Sequence, residues 1–118
     1  MNIEEFREYR LSKKRVTESF PFDEQTLVFK VAGKMFALSG LEHQPSTVNL
    51  KCDPKRAIEL REEYSEIIAG YHMSKKHWNT INIEGSLKNK FIEELVDRSY
   101  ELVVKGMTKK KQIEFGFL

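Results

Sequence analysis

Polar and apolar residues alternate over Thr47-Val48-Asn49-Leu50-Lys51, which sets Val48 and Leu50 on one face of a strand and Asn49 and Lys51 on the other. Leu27–Val31 and Lys34–Leu38 are two further β-rich runs, separated only by Ala32-Gly33. Gly33 can take the positive φ that a tight hairpin turn requires, so Lys30 and Lys34 bracket the tip of a hairpin. Val16–Phe20 reads as a short strand stopped by Pro21, and Trp78–Ile83 as another that ends at Glu84-Gly85. The helical signals are as distinct. Asn2 and Glu5 form a capping pair ahead of a helix that ends near Lys13, with Ile3, Phe6, Arg10 and Leu11 along one side. Asp53-Pro54 starts a second helix, with Ala57, Leu60, Arg61 and Tyr64 on one face and an end before Gly70. Ser86 caps a long third helix whose stripe runs through Leu87, Phe91, Leu95, Ser99, Leu102 and Val103 until Gly106. No βαβ alternation and no repeat occurs, so the order predicts an α+β fold: a single antiparallel sheet with helices packed on one face.

At 118 residues, 40% hydrophobic and 32% charged, the chain has the size and composition of one globular domain. We read residues 1–106 as that domain and 107–118 as a basic, loosely held C-terminal tail. The charged N-terminus and the short apolar runs predict neither export nor a membrane partner. Cys52 is the single cysteine, which excludes an internal disulfide and suits a reducing cytoplasm; a monomer is the simplest assembly. The net charge of +2 is small, and the pI near 8.6 falls short of the value above about 9 that marks a strongly basic nucleic-acid domain. Positive charge nevertheless clusters at Lys13-Lys14-Arg15, Lys75-Lys76 and Lys109-Lys110-Lys111.

The stretch GYHMSKKHWNT, residues 70–80, concentrates the candidate chemistry. His72 and His77 lie five apart, on different faces of a helix and opposite faces of a strand, and two ammonium groups sit between them. That spacing predicts structural histidines and no metal or other cofactor. Cys52 with His72 or His77 has nothing to position it as a nucleophile and base, and Glu62-Glu63 and Glu93-Glu94 point apart on helices, so no enzymatic activity is predicted. Phosphate-cradling and hydrolase motifs are absent. Lys75, Lys76 and His77 suit phosphate contacts and Asn79 a polar one, while Trp78 is either an aromatic platform or a buried anchor, of which we favour the anchor.

The segments VFKVAGKMFAL (28–38), VNLKCDP (48–54), GYHMSKKHWNT (70–80) and SYELVV (99–104) resemble, in order, the motifs of the MmcQ/YjbR-like family of small bacterial proteins. Members of that family are similar in fold to the CyaY/frataxin-like α+β class and have been proposed to bind DNA. The resemblance implies double-stranded DNA as partner and, position by position, a contact set of Lys30, Lys34, Asn49, Lys51, His72, Lys75, Lys76, His77, Trp78 and Asn79. It carries no catalytic set. A frataxin-like role in iron handling would want a dense acidic first helix, whereas Glu4, Glu5 and Glu8 are diluted here by Arg7 and Arg10. The alternative is a protein-interaction or small-ligand module that binds no nucleic acid.

Overall fold

The computed structural model describes residues 1–41, 45–70 and 73–118. Six strands form one sheet: β1 (Val16–Ser19), β2 (Thr26–Val31), β3 (Lys34–Gly40), β4 (Thr47–Lys51), β5 (Ile67–Ala69) and β6 (Trp78–Asn82). Their spatial order is β1-β2-β3-β4-β6-β5, and every pairing is antiparallel. Helices α1 (Ile3–Leu11), α2 (Pro54–Glu63), α3 (Asn89–Lys105) and α4 (Lys109–Glu114) complete the described elements. The predicted α+β architecture is the one observed.

Local chemistry explains most boundaries. Asn2 and Glu5 make the reciprocal capping box at α1, and Asp53 accepts from the Arg56 N–H with Pro54 at the first turn of α2. The β2–β3 turn has both central residues left-handed, Ala32 at φ 48° and Gly33 at φ 83°, the geometry whose twist matches flanking strands. One irregularity follows, where the β2–β3 register shifts between Phe29 and Lys30.

The second helix ends before Gly70 as expected, at Glu63, but Tyr64 is its C-cap and the residues behind it supply β5, an unforeseen edge strand too short to carry a period of its own. Two further expectations need correction. The third helix starts at Asn89 with Lys88 at its N-cap and no side-chain cap, so Ser86 does not open it; Ser86 instead donates to Glu66. Its buried side is Ile92, Val96, Ser99 and Val103, while Leu102 is exposed. Finally, the residues after Gly106 are not loose. Met107 is buried, Thr108 caps α4, Phe117 packs on the core, and the Lys14 ammonium donates to the Gly116 carbonyl at 2.5 Å.

The core lies between the sheet and the helices. Leu27, Phe29, Phe36, Val48, Leu50, Ile81 and Ile83 meet Phe6, Leu60, Ile92, Val96 and Val103. Ser99 ties the layers together: its hydroxyl donates to the Phe36 carbonyl at 2.5 Å and accepts the Lys51 N–H at 2.9 Å. Arg10 is the anomaly of this core. Fully buried, its guanidinium carbon lies 3.1 Å from the Phe29 ring centroid and 4.1 Å from that of Phe6. None of its three side-chain nitrogens has a hydrogen-bond partner among the described residues. Burial pushes its pKa down to about 8, against the opposing pull of Glu18.

Candidate functional site

Strand register decides which of the dispersed cationic positions meet. Val16 pairs with Val31 and Lys30 with Met35, while Lys51, the last residue of β4, pairs with Trp78, the first of β6. The hairpin tip, the end of β4 and the start of β6 therefore lie at one end of the sheet. Lys30, Lys34 and Lys51 are at that end, and the turn through Lys75, Lys76 and His77 leads directly into it. Lys13, Lys14 and Arg15 precede β1 there too, since the Arg15 carbonyl accepts the N–H of Ala32 in the hairpin turn. Arg15 and Lys14 bond the Phe115 and Gly116 carbonyls, which ties the C-terminal end of α4 to the same end. The connections at the other end carry Asp23, Glu24, Glu66 and Glu84 against Lys88 at the start of α3. A chain of nearly balanced charge thus folds into a polarised domain.

The turn before β6 is held by backbone bonds. The N–H groups of His77 and Trp78 donate to the Ser74 carbonyl, and the Arg61 guanidinium donates to the Lys75 carbonyl at 3.1 Å. Lys75, Lys76 and His77 are left exposed. Among the described residues Lys30, Lys34, Lys51, Lys75 and Lys76 are in no ion pair; Lys13 pairs with Asp97. These five ammonium groups carry no internal neutralisation.

The remaining expected contact residues divide. Asn49 lies on the sheet face that α1–α3 leave uncovered and accepts from the Thr80 hydroxyl at 2.5 Å. Trp78 is on that same face, 8% exposed, with Gly70 so close that a β-carbon there would stand 3.0 Å from the Trp78 β-carbon. It is an anchor, though not of the helix-covered core. Asn79 does not join the surface. It points to the helix side, 1% exposed, and its amide nitrogen donates to the Ala57 carbonyl at 3.3 Å. The odd position in an alternating strand faces away from its neighbours, so Trp78 and Asn79 could not share a surface. His72 lies outside the described residues.

Cys52 and His77 are joined through the backbone, N–H to carbonyl at 2.7 Å, but no hydrogen bond links their side chains among the described residues. Burial raises the Cys52 pKa and so holds it as the thiol. No group of three His, Cys, Asp or Glu that could hold a metal ion occurs among the described residues. No described helix is long and apolar enough to cross a membrane.

Sequence reading missed a cavity of about 450 Å³ between α2 and α3, floored by Leu50, Asn79 and Ile81. Its signal was the second apolar column on α3, Phe91-Leu95-Leu102, which lines this cavity while Ile92, Val96 and Val103 face the sheet. The lysines flanking β1 and in α4 were visible as clusters but could not be placed without the register.

Sheet, helices and polarised end define a small single-sheet α+β protein, a class with solved representatives. A Deinococcus radiodurans protein, DR2400, described with a domain DUF419, superposes with a TM-score of 0.91 at 39% identity, over 98% of this chain and 88% of its own. A Pseudomonas syringae protein superposes with a TM-score of 0.75 at 28% identity, over 86% and 98%. The YjbR family model matches residues 11–102, and the uncharacterized protein YjbR of Escherichia coli K12 is 33% identical over 113 residues, 95% of each chain. The uncharacterized protein YbdF of Escherichia coli O157:H7 is 36% identical over 93 residues, 79% of this chain and 76% of its own. The chain belongs to the YjbR family.

Proposed function

We propose that this protein is a non-enzymatic, cytoplasmic DNA-binding protein that grips duplex phosphates with the basic end of its sheet. Support comes from one observation above the others: strand register gathers Lys30, Lys34, Lys51, Lys75 and Lys76, distant in sequence, at one end, without ion-pair partners among the described residues. Unneutralised ammonium groups on a rigid frame are what phosphate contacts require, and such contacts position a protein without reading sequence. Lys34 at the hairpin tip and Lys75-Lys76 on the turn are the exposed contacts, Lys30 and Lys51 the half-buried ones behind them. Trp78 supports the turn from below and is no stacking platform, since its ring is covered.

Fluorescence anisotropy with a labelled duplex at two salt concentrations tests the reading. If all five lysines neutralise phosphates, log affinity falls against log salt with a slope of roughly −4.5, at about 0.9 per contact. Absence of salt-dependent binding at low ionic strength rejects it.

A further inference from the structure

The α2–α3 cavity lies beside the proposed phosphate contacts and has only Lys51 in common with them. The side chain of Asn79 lines its floor with the amide oxygen buried and unpartnered among the described residues, while the amide nitrogen is committed to Ala57. An unpaired buried acceptor costs free energy that a donor entering the cavity would recover. Leu60, Phe91 and Leu95 make the walls, and the Tyr64 ring lies against Phe91 with centroids 4.8 Å apart. The α2 N-terminus and the α3 C-terminus meet at the basic end, so charge collects at that mouth.

Arg56, Arg98, Lys51 and Lys105 outnumber Asp53, Glu94 and Glu101 around the rim. Arg56 is shared with Glu59 at 3.7 Å, but Arg98 is exposed and in no ion pair among the described residues. The volume lies within the roughly 300–1,000 Å³ of small-molecule sites.

We propose that this cavity binds a small amphipathic carboxylate: an apolar body against Leu60, Phe91 and Leu95, an N–H or O–H on that body donating to Asn79 Oδ1, and the carboxylate at Arg98 and Arg56. The site shares Lys51 with the DNA-binding end, but its apolar walls, Asn79, Arg98 and Arg56 are not among the phosphate contacts.

Indole-3-acetate combines all three features and serves as the probe, titrated into ¹⁵N-labelled protein. The expected result is saturable shift changes confined to α2, α3 and the Asn79 amide. 1-Methylindole-3-acetate, which lacks the N–H, should bind about tenfold more weakly, the scale of one lost hydrogen bond. Arg98→Ala should weaken the probe similarly with unchanged melting temperature, and Leu95→Trp, which fills the cavity, should abolish binding while leaving the DNA titration as it was. No saturable change in the millimolar range, or equal affinity for the N-methylated probe, would overturn the proposal.

Discussion

Replacing Arg10 by methionine should stabilise this protein, contrary to the usual effect of changing a fully buried residue. Two terms oppose each other at this position. The stacks on Phe29 and Phe6, at 3.1 and 4.1 Å, contribute about 2 kcal/mol each when desolvated. Against them stand the desolvation of a charge unpaired among the described residues, several kcal/mol, and three buried nitrogens without partners there, at about 1–3 kcal/mol each. Methionine keeps a flexible, polarizable chain between the rings and removes the charge. Exchanging buried ionic groups for well-packed apolar ones often yields a gain of about 1–4 kcal/mol, and in a domain of this size each kcal/mol raises Tm by about 4 °C. Urea denaturation followed by circular dichroism, with calorimetry for Tm, reads the change. Arg10→Lys is the control, since it keeps the charge and loses the planar stack, and it should be less stable than wild type. A loss of more than about 1 kcal/mol in Arg10→Met would mean instead that the guanidinium has a hydrogen-bonding partner in solution.

Ser99→Ala should cost about 2–3 kcal/mol in the same assay, because it strands the Phe36 carbonyl and the Lys51 N–H that the hydroxyl serves; a neutral result would mean the helix–sheet seam is otherwise satisfied. Trp78→Ala should cost about 3–5 kcal/mol, and a variant that kept its stability but lost DNA binding would make the ring a contact surface. Burial and the bond to Asp97 raise the Tyr9 pKa to about 12. Its contribution is therefore intact below pH 10 and fades as pH rises from 10 to 12, because the unfolded chain ionises first. Spectrophotometric titration of wild type against Tyr9→Phe should show the late-ionising phenol missing in the variant, and an ordinary phenol titration in wild type would contradict it.

What the sequence displayed was whatever depends on neighbours along the chain. The capping box at Asn2, the Asp53-Pro54 start and the Ala32-Gly33 turn are local signals, and each sits where it reads. Helix α3 was legible as a helix but not in its facing. It carries two adjacent apolar columns, and only packing decides that Ile92-Val96-Val103 meets the sheet and Phe91-Leu95-Leu102 the cavity. Strand β5 has three residues, too few for alternation to register. In the candidate site, the lysines of the hairpin and of the 75–76 turn were legible as separate basic positions. Their convergence was not, since it follows from the non-sequential β4-β6 pairing. Asn79 was misassigned because a motif groups residues in sequence that a strand sends to opposite faces.

Whether the basic end of the sheet grips duplex phosphates is read from the salt dependence of DNA affinity in two double variants. Lys75→Ala/Lys76→Ala removes charge from the basic end. Lys88→Ala/Lys90→Ala removes the same charge where α3 begins, at the opposite end and equally exposed. The log–log slope should be shallower than wild type by about 1.8 for the first pair, with no change beyond a weak overall effect for the second. Equal effects from both pairs, or none from the first in a folded protein, would mean that the basic end does not grip phosphates.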